Sequence, residues 1–162
     1  MPPAESRPPT DEALVRALQR DEPWAKRALV DRHGPHLRRV LVRLIGHEDD
    51  RADLLQEILM RAFRSIDGLD DPNALRSWLT KITVFVAREH LRRKRRRRWL
   101  SFLSETPEVP APAVASDGVR EAARCVYEVL DGMPDEERTV LVLHLFEGFE
   151  LQDLVDVLGL SY

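Results

Sequence analysis

Apolar residues recur at the three-to-four spacing of helices along most of this chain and nowhere alternate as a half-buried strand requires. Thr10 has the chemistry of an N-cap and predicts a short helix with Ala13, Leu14, Ala17 and Leu18 on its apolar side. Asp21, with Pro23 in the first turn, predicts a second helix carrying Trp24, Ala28 and Leu29, and Gly34-Pro35 predicts a break before the stretch Leu37 to Ile45. Gly46 to Asp50 reads as a turn. A long amphipathic helix is expected from Arg51 to Ile66, with Leu54, Leu55, Ile58, Leu59 and Ala62 as its buried face. Asp71-Pro72 opens the next, whose core stripe is Leu75, Leu79, Ile82 and Val86.

Between Ser101 and Ser116 the periodicity stops, and Pro107, Pro110 and Pro112 forbid a regular helix there. A second helical unit is expected from Asp117, with Val119, Ala122, Ala123, Val126, Tyr127, Val129 and Leu130 apolar, closed by Gly132-Met133-Pro134. Asp135 to Phe146 predicts another helix with Gly148 as a left-handed cap, and Glu150 to Leu158 a last one closed by Gly159. In that last helix Leu151, Leu154, Val155 and Leu158 are expected to pack inward. The pattern is all-α. It divides into residues 1–10, rich in proline and expected to lack order, a helical domain over 11–100, a flexible linker over 101–116, and a second small helical domain over 117–162.

Charge sharpens the division. Residues 1–100 hold 22 Lys and Arg against 15 Asp and Glu, whereas residues 101–162 hold 3 against 13. The net charge of −3 therefore hides a basic part suited to a polyanion and an acidic part that is not. Cys125 is the one cysteine, which excludes an internal disulfide framework and fits a reducing cytoplasm; it falls on an apolar helical position and is expected in the core. There is no signal-peptide pattern at the N-terminus and no apolar run of bilayer length, so a cytoplasmic protein without membrane insertion is expected.

The segment from Trp78 to Arg98 carries the most chemistry. Trp78, Lys81, Phe85, Arg88 and Arg92 form a second stripe about a third of a turn from the core stripe, and seven consecutive basic residues, Arg92 to Arg98, follow. Aromatic rings stack exposed bases and cations pair with phosphates, so this mixture suits single-stranded nucleic acid. A wide core stripe followed by a solvated basic tail explains the same residues equally well. A general nucleic-acid binder using only the basic run is a weaker third reading. Opposite the buried face of the preceding helix lie Asp53, Gln56, Glu57, Met60, Arg61 and Arg64. A methionine among these charges is a mark of a protein-binding surface, although a solvated face stabilised by pairs such as Glu57 with Arg61 accounts for it at least as well.

Other candidates carry less. The loop Ser65 to Asp71 is acidic but lacks the ligand spacing of a calcium site. His33 and His36 are three apart, with Gly34-Pro35 between them expected to misalign them for a metal. No nucleophile–base set or phosphate-cradling glycine loop occurs, so neither catalysis nor a cofactor is expected. Phe149 to Ser161 reads as the first helix and turn of a helix-turn-helix, with Gly159 at the turn, Ser161 as the next cap, and Tyr162 alone to begin the second helix.

In order and spacing these segments resemble the bacterial extracytoplasmic-function sigma factors, promoter-specificity subunits of RNA polymerase. The resemblance runs from about Asp11 to Ser161. It rests on Asp53-Leu54-Leu55-Gln56-Glu57 with Phe63 six residues on, Arg76-Ser77-Trp78-Leu79-Thr80-Lys81-Ile82, and His90-Leu91-Arg92-Arg93; Met133-Pro134 to Arg138 and Phe146-Glu147-Gly148 are similar to the family's second domain. It implies a non-enzymatic transcription initiation factor with a region-2-like first domain and a region-4-like second one. Asp53, Gln56, Glu57, Met60 and Arg61 would dock on the clamp helices of the polymerase's largest subunit. Ser65, Asp67, Gly68 and Leu69 would hold a base flipped from the minus-ten element of promoter DNA. Trp78, Lys81, Phe85, Arg88, Arg92 and Arg93 would hold the melted non-template strand, and the linker would thread toward the RNA exit path. An anti-sigma factor is the implied regulatory partner.

Two features depart from the family. Phe85 stands where an asparagine is usual, and a ring stacks on a base but cannot read its edge by hydrogen bonds. The minus-thirty-five recognition helix is absent from the 162 residues, which predicts a truncated helix-turn-helix. An alternative is therefore a degenerate homologue that binds polymerase or an anti-sigma factor without initiating transcription.

Overall fold

In the computed structural model, which describes residues 10–46, 50–101 and 118–159, the described residues are helical with no strand. The expected linker lies almost wholly outside them. α1 spans Asp11–Gln19, α2 Pro23–Ile45, α3 Arg51–Ser65 and α4 Leu75–Ser101. Single 3-10 turns at Ile66–Gly68 and Pro72–Ala74 join α3 to α4. α5 spans Gly118–Asp131, α6 Asp135–Leu141 and α7 Leu151–Leu158.

Several ends form as their local chemistry dictates. Thr10 Oγ1 accepts from the Ala13 amide at 3.2 Å and caps α1. Gly148 and Gly159 take positive φ, at +73° and +63°. Pro35, in contrast, does not break α2, which runs unbroken from Pro23 to Ile45. The proline sits on the exposed side, while Leu29, Leu37, Val40 and Leu41 are buried on the other, and that packing outweighs one missing backbone hydrogen bond.

α4 lies against both α2 and α3. Leu75, Leu79 and Val86 are fully buried as the core stripe predicts, and Ile82 is half-buried. Thr80, Thr83, Val84 and Ala87 are buried as well, so the covered arc is wider than one stripe. Leu14, Val15, Leu29, Leu37, Leu41 and Ile58 complete a continuous aliphatic core.

The C-terminal helices differ from expectation. Leu130, Leu154 and Leu158 are buried, but Val126, Val129 and Leu151 are exposed, and so is Cys125, which is not a core residue. An apolar position is buried only where another element covers it, and among the described residues these positions are left uncovered. Trp24 of α2 is likewise exposed, its indole N–H donating to Glu22. α6 continues as a π-helical turn over Val142–Phe146, and the added residue per turn re-aims the chain beyond it. Phe146 and Glu147 face α2, where the Arg43 guanidinium lies 4.4 Å above the Phe146 ring.

Candidate nucleic-acid interface

The aromatic and basic stripe of α4 is divided by its neighbours. Trp78 is half-buried and packs against the core. Phe85 is 55% exposed, with the Arg61 guanidinium of α3 over its ring at 5.1 Å. Lys81 and Arg92 are exposed. Arg88 is turned toward the C-terminal helices and donates from Nη1 to the Leu158 carbonyl at 3.0 Å. Arg93 leaves the stripe altogether, pairing with Glu89 at 2.7 Å.

Glu89 binds two partners that the sequence placed in separate surfaces. Arg61 Nη2 lies 2.8 Å from Glu89 and also pairs with Glu57, so α3 and α4 share a Glu57–Arg61–Glu89–Arg93 network. The hydrogen bond from Arg61, and then that from Arg93, hold the Glu89 carboxyl below the usual carboxylate range. Beside this network Asp53, Gln56 and Met60 remain exposed on α3. The structure thus joins the α3 face and the Phe85 ring into one continuous surface through Arg61.

The loop after α3 is held from beneath. Gln19 of α1 donates from Nε2 to the carbonyls of Ile66 and Leu69, both at 3.3 Å. Ile66 and Leu69 are buried, so Leu69 forms the floor of the loop instead of its contact surface. Ser65, Asp67 and Gly68 are exposed, and open space surrounds the position a Cβ on Gly68 would occupy. The Ser65 hydroxyl donates to the Arg61 carbonyl at 2.7 Å, tying this loop to the same surface.

The two histidines do not converge. They lie on an unbroken helix, contrary to the expected kink, yet each has its own partner: His33 Nε2 is 3.3 Å from Asp11, and His36 Nε2 is 3.0 Å from the Thr80 hydroxyl. Thr80 donates its one proton to the Arg76 carbonyl at 3.0 Å, so His36 is the donor to Thr80 and carries its hydrogen on Nε2. Burial, then the charges of Arg76, Arg39, His33 and Arg43, lower the His36 pKa to about 4. It is neutral at pH 7.

Sequence reasoning missed a polar cluster beside His36. Glu147 has a side chain only 3% exposed; Arg43 Nη1 is 3.1 Å away, His36 Nε2 3.5 Å and Arg76 3.9 Å. Burial pushes the Glu147 carboxyl up, against the pull of Arg43, Arg76 and Arg39. Nearby, Arg138 of α6 is buried and donates from Nε to the Arg43 carbonyl at 2.6 Å, meeting the negative end of α2, while its Nη2 lies 2.8 Å from Asp131. The available signal was the opposed charge of the two parts, which predicts attraction without naming the partners.

Residues 29–97 match the model for sigma-70 region 2. RNA polymerase sigma factor SigV of Bacillus subtilis is 26% identical over 132 residues, 78% of this chain and 74% of the relative. The chain belongs to the extracytoplasmic-function sigma factors. ECF RNA polymerase sigma factor SigE of Mycolicibacterium smegmatis is 30% identical over 136 residues, covering 82% of this chain and 52% of that one. In fold, this sigma factor is similar to CnrH, solved in complex with the cytosolic domain of CnrY, with a TM-score of 0.61 at 24% identity over 93% of this chain and 84% of that one. Region 2 therefore spans most of α2, all of α3 and all but the end of α4, the helices that carry every candidate site residue outside the loop between α3 and α4. Like its relatives, the chain has a sigma-factor role in transcription initiation. No helix among the described residues is long and apolar enough to cross a membrane.

Proposed function

We propose that this sigma factor docks on core RNA polymerase through Asp53, Gln56, Glu57, Met60 and Arg61 and holds the melted non-template strand of the minus-ten element along α4. The observation that carries this reading is the exposed Phe85 ring, set between Lys81 and Arg92 and adjoining the α3 face through Arg61. A half-exposed ring flanked by cations is a platform on which a base can stack, contributing about 1–3 kcal/mol. Trapping an unstacked base offsets the few kcal/mol that opening a base pair costs. Phe85 gives stacking without edge recognition, so the open loop at Ser65, Asp67 and Gly68 is left to discriminate the flipped base. Leu69 and Trp78 support these surfaces from below.

An anti-sigma factor is the regulatory partner in this reading, on the analogy of CnrH with the cytosolic domain of CnrY. Arg88, already engaged by Leu158, favours a second reading in which the chain occupies polymerase or titrates a regulator without initiating. Reconstitution separates them. Core polymerase is expected to co-purify with the chain when Arg92–Arg98 are replaced by alanine, and to be lost in Asp53→Ala with Gln56→Ala. Promoter-dependent run-off product excludes the second reading; polymerase binding indifferent to the Asp53 and Gln56 changes overturns the assigned docking face.

A further inference from the structure

We propose that Arg61 and Phe85 act as one unit, a cation-backed ring that selects a purine from the strand by stacking strength, and that Glu89 is the positioning residue that keeps the guanidinium there. The inference rests on the strand-binding reading of α4 given above and deepens it, since a ring that reads no base edge can still choose between bases by how well they stack. Phe85 is 55% exposed, although Val84, Val86 and Ala87 beside it are fully buried, so its ring lies outside the core. The cation over that ring comes from another helix: Arg61 belongs to α3, and its guanidinium carbon is 5.1 Å from the ring centroid. A ring backed in this way has one face left for a ligand.

Arg61 is held in place from both helices. Its Nη2 is shared by Glu57, one turn back on α3, and by Glu89 of α4 at 2.8 Å. Glu89 stands one turn along α4 from Phe85 and is itself bound by Arg93 at 2.7 Å. A planar guanidinium tied by charged hydrogen bonds to two separate helices keeps one orientation. The four charges balance, two carboxylates against two guanidiniums, so the network adds no net attraction for a phosphate backbone. Exposed ion pairs of this kind contribute little to stability, and what the network fixes is the place of one cation.

That placement has a chemical consequence at the free face. The face of an aromatic ring carries partial negative charge, and a cation seated on one side draws that density toward itself. The opposite face is then less negative and stacks better on an electron-rich partner. Purines present a larger and more electron-rich ring system than pyrimidines, so contact area and electrostatics favour the same bases. The preference needs no hydrogen bond to a base edge, and modest selectivity is what stacking gives.

The test uses the full chain and short fluorescent oligo-dT strands, one all thymine and others with a single adenine, guanine, cytosine or abasic site, titrated across a salt series. The parent chain is expected to bind the adenine and guanine strands about 3- to 10-fold tighter than the all-thymine strand, within the range of one base on an aromatic ring, with no gain for cytosine. Glu89→Gln leaves the network with an excess positive charge: affinity for every strand rises and the salt slope steepens by about 0.7, yet the purine preference falls toward one. Arg61→Gln shifts the charge the other way, so affinity and slope fall while the preference again falls toward one. Opposite affinity changes with the purine preference intact in both variants show a purely electrostatic role and overturn the proposal, as does a parent chain that binds all four bases alike. Phe85→Ala separates this inference from the strand reading. Weaker binding of every strand with loss of the preference is expected there; if Phe85→Ala does this while both other variants keep the preference, the ring binds bases and only the role of Arg61 and Glu89 falls. Unchanged binding in Phe85→Ala, or no binding of any strand by the parent chain at low salt, overturns the strand site itself and the proposal with it.

Discussion

The two sides of α4 are built from different materials. Toward α2 and α3 it presents Leu75, Leu79, Val86 and Ala87, closed into an aliphatic core that also holds α1. Toward the C-terminal helices it presents Lys81, Arg88 and Arg95, met by a carbonyl and carboxylates. The C-terminal helices leave Val126, Val129, Leu145 and Leu151 exposed and have few large side chains of their own fully buried. Apolar burial is non-directional and lost only on unfolding, whereas charge-assisted contacts exchange readily for other charged partners. One side of α4 thus behaves as structure and the other as an interface, although both belong to one helix.

Breaking each side in turn measures the difference. Leu79→Ala, at the centre of the aliphatic side, is expected to cost about 2–5 kcal/mol and to unfold α1–α4 cooperatively, read as a shifted midpoint in chemical denaturation. Loss confined to the C-terminal helices would show that the core is not shared as described. Gly46→Ala acts at the seam. Gly46 has φ +76°, and a Cβ there would sit 3.0 Å from the Asp131 carboxylate, so about 1–3 kcal/mol of strain is expected. Hydrogen exchange should show faster opening of α6 with α3 and α4 unchanged; equal acceleration everywhere contradicts a separable interface.

The smallest effect concerns acidity. His36 has its pKa lowered from 6.5 to about 4, so the unfolded chain takes up its proton first and stability falls as pH drops from about 6.5 towards 4. Glu147, raised by burial, runs the other way: the folded state holds its proton longer, and that contribution is lost as pH rises through its folded pKa. Denaturation midpoints stepped through this window should decline on acidification in the parent chain and more steeply in Glu147→Gln. His36→Gln should flatten the decline, and an equally steep decline in that variant removes His36 as its cause.

Much of the first four helices could be read from residues alone, because capping, glycine conformation and the 3.6-residue repeat act within a few positions of each other. Thr10, Gly148, Gly159 and the Leu75–Leu79–Val86 stripe all behaved as their neighbours in sequence dictate. Pro35 did not, since the packing that carries α2 through it comes from residues far along the chain. Cys125, Val126 and Leu151 were misplaced for the same reason in reverse: an apolar position is buried only if something comes to cover it.

The candidate surfaces divide the same way. Asp53, Gln56, Met60, Lys81 and Phe85 are exposed on the faces that helical spacing assigned to them. That Arg93 turns to Glu89, that Leu69 is a floor, and that Arg88 is held by Leu158 depend on which helices lie adjacent. By itself the sequence determined an all-helical chain with a basic first part, an acidic last part and an aromatic, cationic stripe, because each follows from local spacing and charge. Only the tertiary structure decided that the acidic part lies against that stripe and that Glu147 is buried beside Arg43 and His36. Pairings 40 to 104 residues apart leave no local periodicity to read, and they exist only once the core has brought both ends together.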